Sequence, residues 1–182
     1  MGQKIMSLGI DENIDFVPIT IAVLIVSDTR TLETDTSGAT LQERIKKAGH
    51  NVFERRIVKD DIQSIRAVMT SYIDNPEIDA VITSGGTGLT GRDVTVEAVK
   101  PLLDKIIDGF SVVFHQVSFQ TIGLSTLQSR AFAGLTKDTF IFCLPGSNGA
   151  VKDGWDKVIS AQLDIRHRPC NMVELMPRLL EK

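Results

Sequence analysis

Several common chemistries are missing from this chain. It has only two cysteines, Cys143 and Cys170, in 182 residues. They make neither a disulfide framework nor a metal spacing, and read as reduced thiols in a cytoplasmic protein. His50, His115 and His167 lie far apart and form no zinc motif. No apolar run approaches the length of a transmembrane helix, and Ile19 to Val26 is strand-sized. The net charge of −3 argues against a nucleic-acid surface or a polybasic membrane patch. Met1 to Phe16 is mixed and carries acids, so no signal-peptide pattern is expected. Met6 stands where a myristoylation signal asks for Ser or Thr. There is no internal repeat and no low-complexity segment.

What remains is an alternation of strand-like and helix-like segments. Residues 1–16 have no steady period and read as an N-terminal arm; residues 17–163 read as one domain and 164–182 as a tail packed on it or at an interface. Ile19 to Val26, Val52 to Val58, Ala80 to Thr83 and Thr139 to Leu144 read as buried strands. Between them, Leu41, Ile45 and Ala48 mark one helix, stopped by Gly49, and Ile62, Ile65, Met69, Tyr72 and Ile73 mark another. Thr95 is a candidate cap for a third helix ending near Pro101. Phe110, Val113, Phe114 and Val117 indicate a fourth and Ala150 to Ala161 a fifth. Asp35, Thr36 and Ser37 are all good cap types for the first helix. Such an order predicts a three-layer α/β/α sandwich around a mostly parallel, doubly wound sheet.

Sheets of this kind bind ligands beyond the carboxyl ends of their strands. Four polar clusters fall there: Ser27-Asp28, Asp60-Asp61, Thr83 to Gly88 and Pro145-Gly146. The most informative is Thr83-Ser84-Gly85-Gly86-Thr87-Gly88, followed by Arg92-Asp93. Glycines leave backbone amides open to an anion, and Arg92 can pair with phosphate oxygens. The loop lacks the Lys-Ser/Thr ending of a Walker loop and fails the dinucleotide G-x-G-x-x-G spacing.

Two carboxylates, Asp60 and Asp93, beside a phosphate call for a divalent cation between them, and magnesium is the usual one. Phosphoryl or nucleotidyl transfer needs positioning and charge neutralisation more than a protein nucleophile. The lack of a plausible Ser-His or Cys-His pair agrees with that. Other readings stay open: Asp60 or Asp61 caps the second helix, and Asp93 pairs with Arg92. Asp28 and Asp35 flank a long polar loop as solvated acids. Arg130 is either an exposed helix-end arginine or an anion contact. His115 reads as a core or interface residue, Cys143 as packing.

Together these motifs resemble the MoaB/MogA family of molybdenum-cofactor biosynthesis proteins over about residues 19–175. The resemblance rests on Ser27-Asp28, residues 83–88, Arg92-Asp93-Val94-Thr95, the run Ser125 to Gly134, Leu144 to Ser147 and Arg168-Pro169-Cys170-Asn171. It implies trimers or hexamers, and binding of molybdopterin and of ATP with magnesium. It implies AMP transfer from ATP to the terminal phosphate of molybdopterin, with release of pyrophosphate. Asp60 and Asp93 then match the essential aspartates and candidate magnesium ligands. Ser84, Gly85, Gly86, Thr87, Gly88, Pro145, Gly146 and Ser147 match the nucleotide-phosphate site. Ser27, Asp28, Ser129 and Arg130 match the pterin side. Other proteins of the same pathway are the expected partners, with neither nucleic acid nor membrane.

The chain departs from the family at Gly109-Phe110-Ser111-Val112, where Gly-Phe-Gly-Glu is usual, and at His115, where an arginine is common. The missing acid and base bear on a substrate contact or an intersubunit pair. A non-catalytic pterin- or nucleotide-binding protein of the same pathway is therefore the alternative reading.

Overall fold

The computed structural model describes residues 8–181. Its main sheet has six strands in the order β3-β2-β4-β7-β6-β5. These are β2 (Thr20–Val26), β3 (Asn51–Val58), β4 (Ala80–Ser84), β5 (Lys105–Ile106), β6 (Phe132–Thr136) and β7 (Thr139–Leu144). The first four in that order run parallel, and β6 and β5 are antiparallel additions at one edge. The expected α/β/α architecture is present, with a mostly parallel sheet. In β2, Ile21, Val23 and Ile25 enter one buried cluster while Ala22, Leu24 and Val26 enter the other. A strand alternates its side chains, so a continuous apolar run is what a sheet covered on both faces requires.

On one face lie α1 (Thr36–Lys47), α4 (Asp108–Ile122) and α5 (Asn148–Gly154), which bury Leu41, Ile45, Phe110, Phe114 and Val151. The other face carries α2 (Ile62–Ile73) and α3 (Thr95–Val99), which bury Ile65, Met69, Tyr72, Ala98 and Val99. Local signals set the helix starts. The Asp35 carboxylate accepts from the Gly38 N–H at 2.8 Å, and Asp61 accepts from Ser64 at 2.7 Å. Asp61 is thus the cap of α2, which leaves Asp60 out of that role. Losing such a cap costs about 1 kcal/mol.

Three expectations are corrected. Thr95 is the first residue of α3, and its hydroxyl donates to the Gly85 carbonyl at 2.8 Å instead of capping the helix. The strand pair β5–β6 was not expected. Phe132–Thr136 contains Ala133 and Gly134 and lacks a β-branched run, yet Gly134 is required there. A Cβ on it would stand 2.4 Å from the Leu103 side chain. The last helix is also longer than the periodicity implied. It starts at Asn148 and passes through a π-helical turn, Trp155–Ile159, into α6 (Ser160–Gln162).

The described part of the arm is tied down. Strand β1 (Gly9–Ile10) pairs antiparallel with β8 (His167–Arg168) in the tail. The Phe16 ring packs against His50 at 5.0 Å, with the Arg166 guanidinium 5.1 Å from its centroid. The rest of the expected arm, residues 1–7, lies outside the described residues. Among the described residues, no helix is long and apolar enough to cross a membrane.

Candidate functional site

Parallel register brings Val26, Val58, Ser84 and Leu144 to one edge of the sheet. Beyond that edge lies a cavity of about 650 Å³. Its wall includes Ser27, Asp28, Asp60, the whole stretch Ser84 to Gly88, Asp93, Ser129 and Pro145 to Ser147. The four polar clusters expected to converge on one rim therefore do so. Of the site residues anticipated from sequence, only Arg130 does not line the cavity.

The glycines are required by more than an anion. Gly85 has φ +111° and Gly86 φ +64°, backbone regions that side chains disfavour. A Cβ on Gly85 would stand 2.2 Å from the Val26 carbonyl oxygen, and one on Gly86 2.3 Å from the Thr95 hydroxyl. One on Gly88 would stand 2.7 Å from the Asp93 carboxylate. The loop is pressed between the end of β2, the start of α3 and both candidate carboxylates. The Gly85 N–H donates to the Leu144 carbonyl at 3.0 Å, so that amide serves the fold and not a ligand. Ser84 Oγ donates to the Pro145 carbonyl at 3.2 Å, joining the two loops of the site.

Asp60 and Asp93 sit in contrasting surroundings. Burial, followed by the charges of Asp28 and Asp93, pushes the Asp60 carboxyl above its ordinary range; Arg92 and the Asp28 N–H oppose this. Burial also acts to raise Asp93. Hydrogen bonds from the Thr90 hydroxyl and N–H and from the Gly88 N–H outweigh it, with help from Arg130, and hold Asp93 low. Thr90 Oγ1 donates to Asp93 Oδ2 at 2.6 Å. Asp28 accepts from the Asp60 N–H at 3.2 Å and pairs with Arg92. The alternative in which Asp93 pairs with Arg92 is not realised: Arg92 pairs with Asp28, and its hydrogen bond holds the Asp28 carboxyl low.

Arg130 lies outside the cavity wall, and its side chain is held by backbone carbonyls. Its Nε donates to the Gly88 carbonyl and its Nη2 to the Asp93 carbonyl, each at 2.8 Å. It also pairs with Glu97. The side chain clamps the glycine loop from behind the cavity. His115 spans a similar junction: Nδ1 lies 2.6 Å from the Ser111 carbonyl and Nε2 3.0 Å from that of Ser129. It thereby anchors a cavity-lining residue to α4. Cys143 is fully buried, and burial pushes its thiol up to about 12, as packing requires.

Sequence reasoning missed Arg30 and misread Asp35. Arg30 lines the cavity and donates to the Gly146 carbonyl at 3.2 Å. Its place two residues after Asp28, in a loop leaving a strand's carboxyl end, was the available signal. Asp35 is not a solvated acid. Its side chain is 0% exposed, and Arg30 and Arg55 each approach one of its oxygens at 3.4 Å.

The chain is similar to known proteins over most of its length. Residues 22–165 match the family model described as "Probable molybdopterin binding domain". The chain is 46% identical over 157 residues to Molybdenum cofactor biosynthesis protein B of Escherichia coli (strain K12), covering 86% of this chain and 92% of that protein. A crystal structure of Molybdenum cofactor biosynthesis protein B superposes with a TM-score of 0.78 at 44% identity, covering 81% and 92% of the two chains. The tungsten cofactor synthesizing protein MoaB from Pyrococcus furiosus gives 0.69 at 34% identity, covering 76% and 89%. The chain thus belongs to the MoaB/MogA family of molybdenum cofactor biosynthesis proteins.

Proposed function

We propose that this protein is a molybdopterin adenylyltransferase. The observation that carries this reading is the placement of Asp60 and Asp93 on one cavity wall with the glycine loop between them. In the reaction, an oxygen of the molybdopterin terminal phosphate bonds to the α-phosphorus of ATP. The bond from that phosphorus to the bridging oxygen breaks, and its electron pair leaves with pyrophosphate. The chain's own task is to hold two anionic reactants in line, which can lower a barrier by roughly 7–11 kcal/mol.

In this assignment the loop 84–88 and Pro145 to Ser147 hold nucleotide phosphates, while Ser27, Asp28 and Ser129 face the pterin side. Among the described residues, no group of three His, Cys, Asp or Glu side chains forms a cation cage. Magnesium is commonly held by one or two carboxylates, with substrate oxygens and water completing its shell. Asp60 and Asp93 supply that number; Asp60 is raised by burial and then by the charges of Asp28 and Asp93, and a bound cation would offset that charge repulsion. Magnesium there would neutralise charge on the transferring phosphoryl group.

Self-association is part of the same proposal. Val112, Phe119, Ile122, Leu124 and Leu127, on α4 and the 3-10 turn after it, are each at least half exposed. An apolar patch of this kind supports a trimeric or larger assembly. Both cysteines are unpaired, in keeping with a reducing cytoplasm.

Pure protein incubated with molybdopterin, ATP and magnesium should form adenylylated pterin. No product under conditions in which an authentic adenylyltransferase works would overturn the enzyme reading. Pterin or nucleotide binding without product would favour the non-catalytic alternative.

A further inference from the structure

Next to the main cavity runs a second groove of about 460 Å³, between β3 and the loop that follows β2. The two share Ser27, Asp28 and Arg30. Among the described residues, the one acid lining the groove is Asp28, whose charge is met by Arg92; the cations are Arg30, Arg55, Arg56 and Lys59. We propose that this groove is a second anion site, which receives the diphosphate end of the nucleotide and holds it as leaving pyrophosphate. The assignment of diphosphate rests on the adenylyl-transfer reading.

Charge accounting in the groove supports an anion. The single buried carboxylate of Asp35 faces two guanidiniums, Arg30 and Arg55. The same carboxylate caps α1, whose N-terminus adds a partial positive charge of its own. Glu33 acts on Arg55 from an exposed position, and Arg56 lies 4.0 Å from Glu54. Lys59 forms no ion pair within 4.0 Å among the described residues, and the Asp28 carboxylate beside it is already paired with Arg92.

The cations are also positioned in advance. Arg55 donates to the Leu32 carbonyl at 3.0 Å and to the Asp35 carbonyl at 3.2 Å, and its side chain is only 15% exposed. A fixed, sparsely solvated guanidinium is screened less than a surface lysine and loses little entropy on binding. Four cations against one acid in the lining of a groove opening from the phosphate cavity suit a multiply charged ligand.

The test is calorimetric titration of inorganic pyrophosphate into the full chain and into an Arg56→Gln/Lys59→Gln double variant. Both positions are exposed, and a melting curve checks that the variant is folded. Pyrophosphate affinity should fall at least about tenfold, with AMP affinity within about twofold of wild type. An Arg56→Lys/Lys59→Arg variant should restore binding. Unchanged pyrophosphate affinity, no binding by the wild type, or a parallel loss for AMP would overturn the proposal. So would an equal loss for sulfate at the same ionic strength, which would mark only a general basic patch. Binding is read without turnover, so pyrophosphate capture by a protein that makes no adenylylated pterin would refute the enzyme reading and leave the groove standing.

Discussion

The Asp93 carboxylate occupies the space that a side chain on Gly88 would need, 2.7 Å from where its Cβ would stand. Glycine at 88 is thus a condition for the position of Asp93, and Asp93 is in turn held by Thr90. Gly88→Ala should displace the carboxylate while sparing the core, since the loop lies outside both buried clusters. Misplacing a reacting group by about 1 Å can cost roughly a hundredfold in rate. Adenylylation by Gly88→Ala should fall by about that factor, with a melting temperature within a few degrees of wild type. Normal turnover would show that Asp93 is not needed where it stands.

Asp60 should show a trade between stability and activity. Its carboxyl is raised by burial and by the charges of Asp28 and Asp93. A carboxyl raised in the folded state disfavours folding when ionised, and the cost disappears as pH falls through its folded value. Asp60→Asn removes that cost, so without magnesium at neutral pH it should melt at or above the wild-type temperature. It should also lose magnesium-dependent turnover. A clearly lower melting temperature would mean that the Asp60 carboxylate makes stabilising contacts that outweigh its burial and charge repulsion.

Arg130 provides a test of position against contact. It binds the Gly88 and Asp93 carbonyls and Glu97 from behind the cavity. Hydrogen bonds to charged groups contribute about 2 kcal/mol, so Arg130→Gln should destabilise the protein by roughly that amount. It should lower kcat and leave the KM for molybdopterin nearly unchanged. The reverse pattern, a raised KM with normal kcat, would mark Arg130 as a pterin contact.

His50 predicts an acid-side loss of stability. Burial lowers its pKa below the ordinary 6.5, against the pull of Asp164. Its Nδ1 accepts from the Ile19 N–H at 3.3 Å, a bond that protonation would remove. A histidine lowered in the folded state supports stability above pH 6.5, and that support is lost as pH falls through the folded value. Melting temperatures from pH 8 to pH 5 should drop less in His50→Gln than in wild type. Parallel curves would exclude His50 as the titrating group.

What could be read before folding was whatever depends on near neighbours along the chain. The apolar run of β2, the 3.6-residue spacing of α2 and the caps Asp35 and Asp61 all act within a few positions. The parallel order then placed Ser27, Asp60, Ser84 and Pro145 on one edge, because parallel strands share a carboxyl end. Strands β5 and β6 escaped notice because Gly134 and its neighbours carry no β-pattern; the close approach of Leu103 and the Lys105 carbonyl explains the glycine only once the strands are paired.

Sequence alone therefore determined the layers, the family motifs and the rim on which the polar clusters meet. Tertiary structure decided which partner each charge takes. Arg130 meets Gly88 and Asp93, 42 and 37 residues away, and Arg55 meets Asp35 across 20. Arg92 passes over its neighbour Asp93 to reach Asp28, 64 residues away. Adjacent residues in a turn need not face each other, and long charged side chains settle where desolvation and available acceptors are balanced. That balance exists only once the strands are packed.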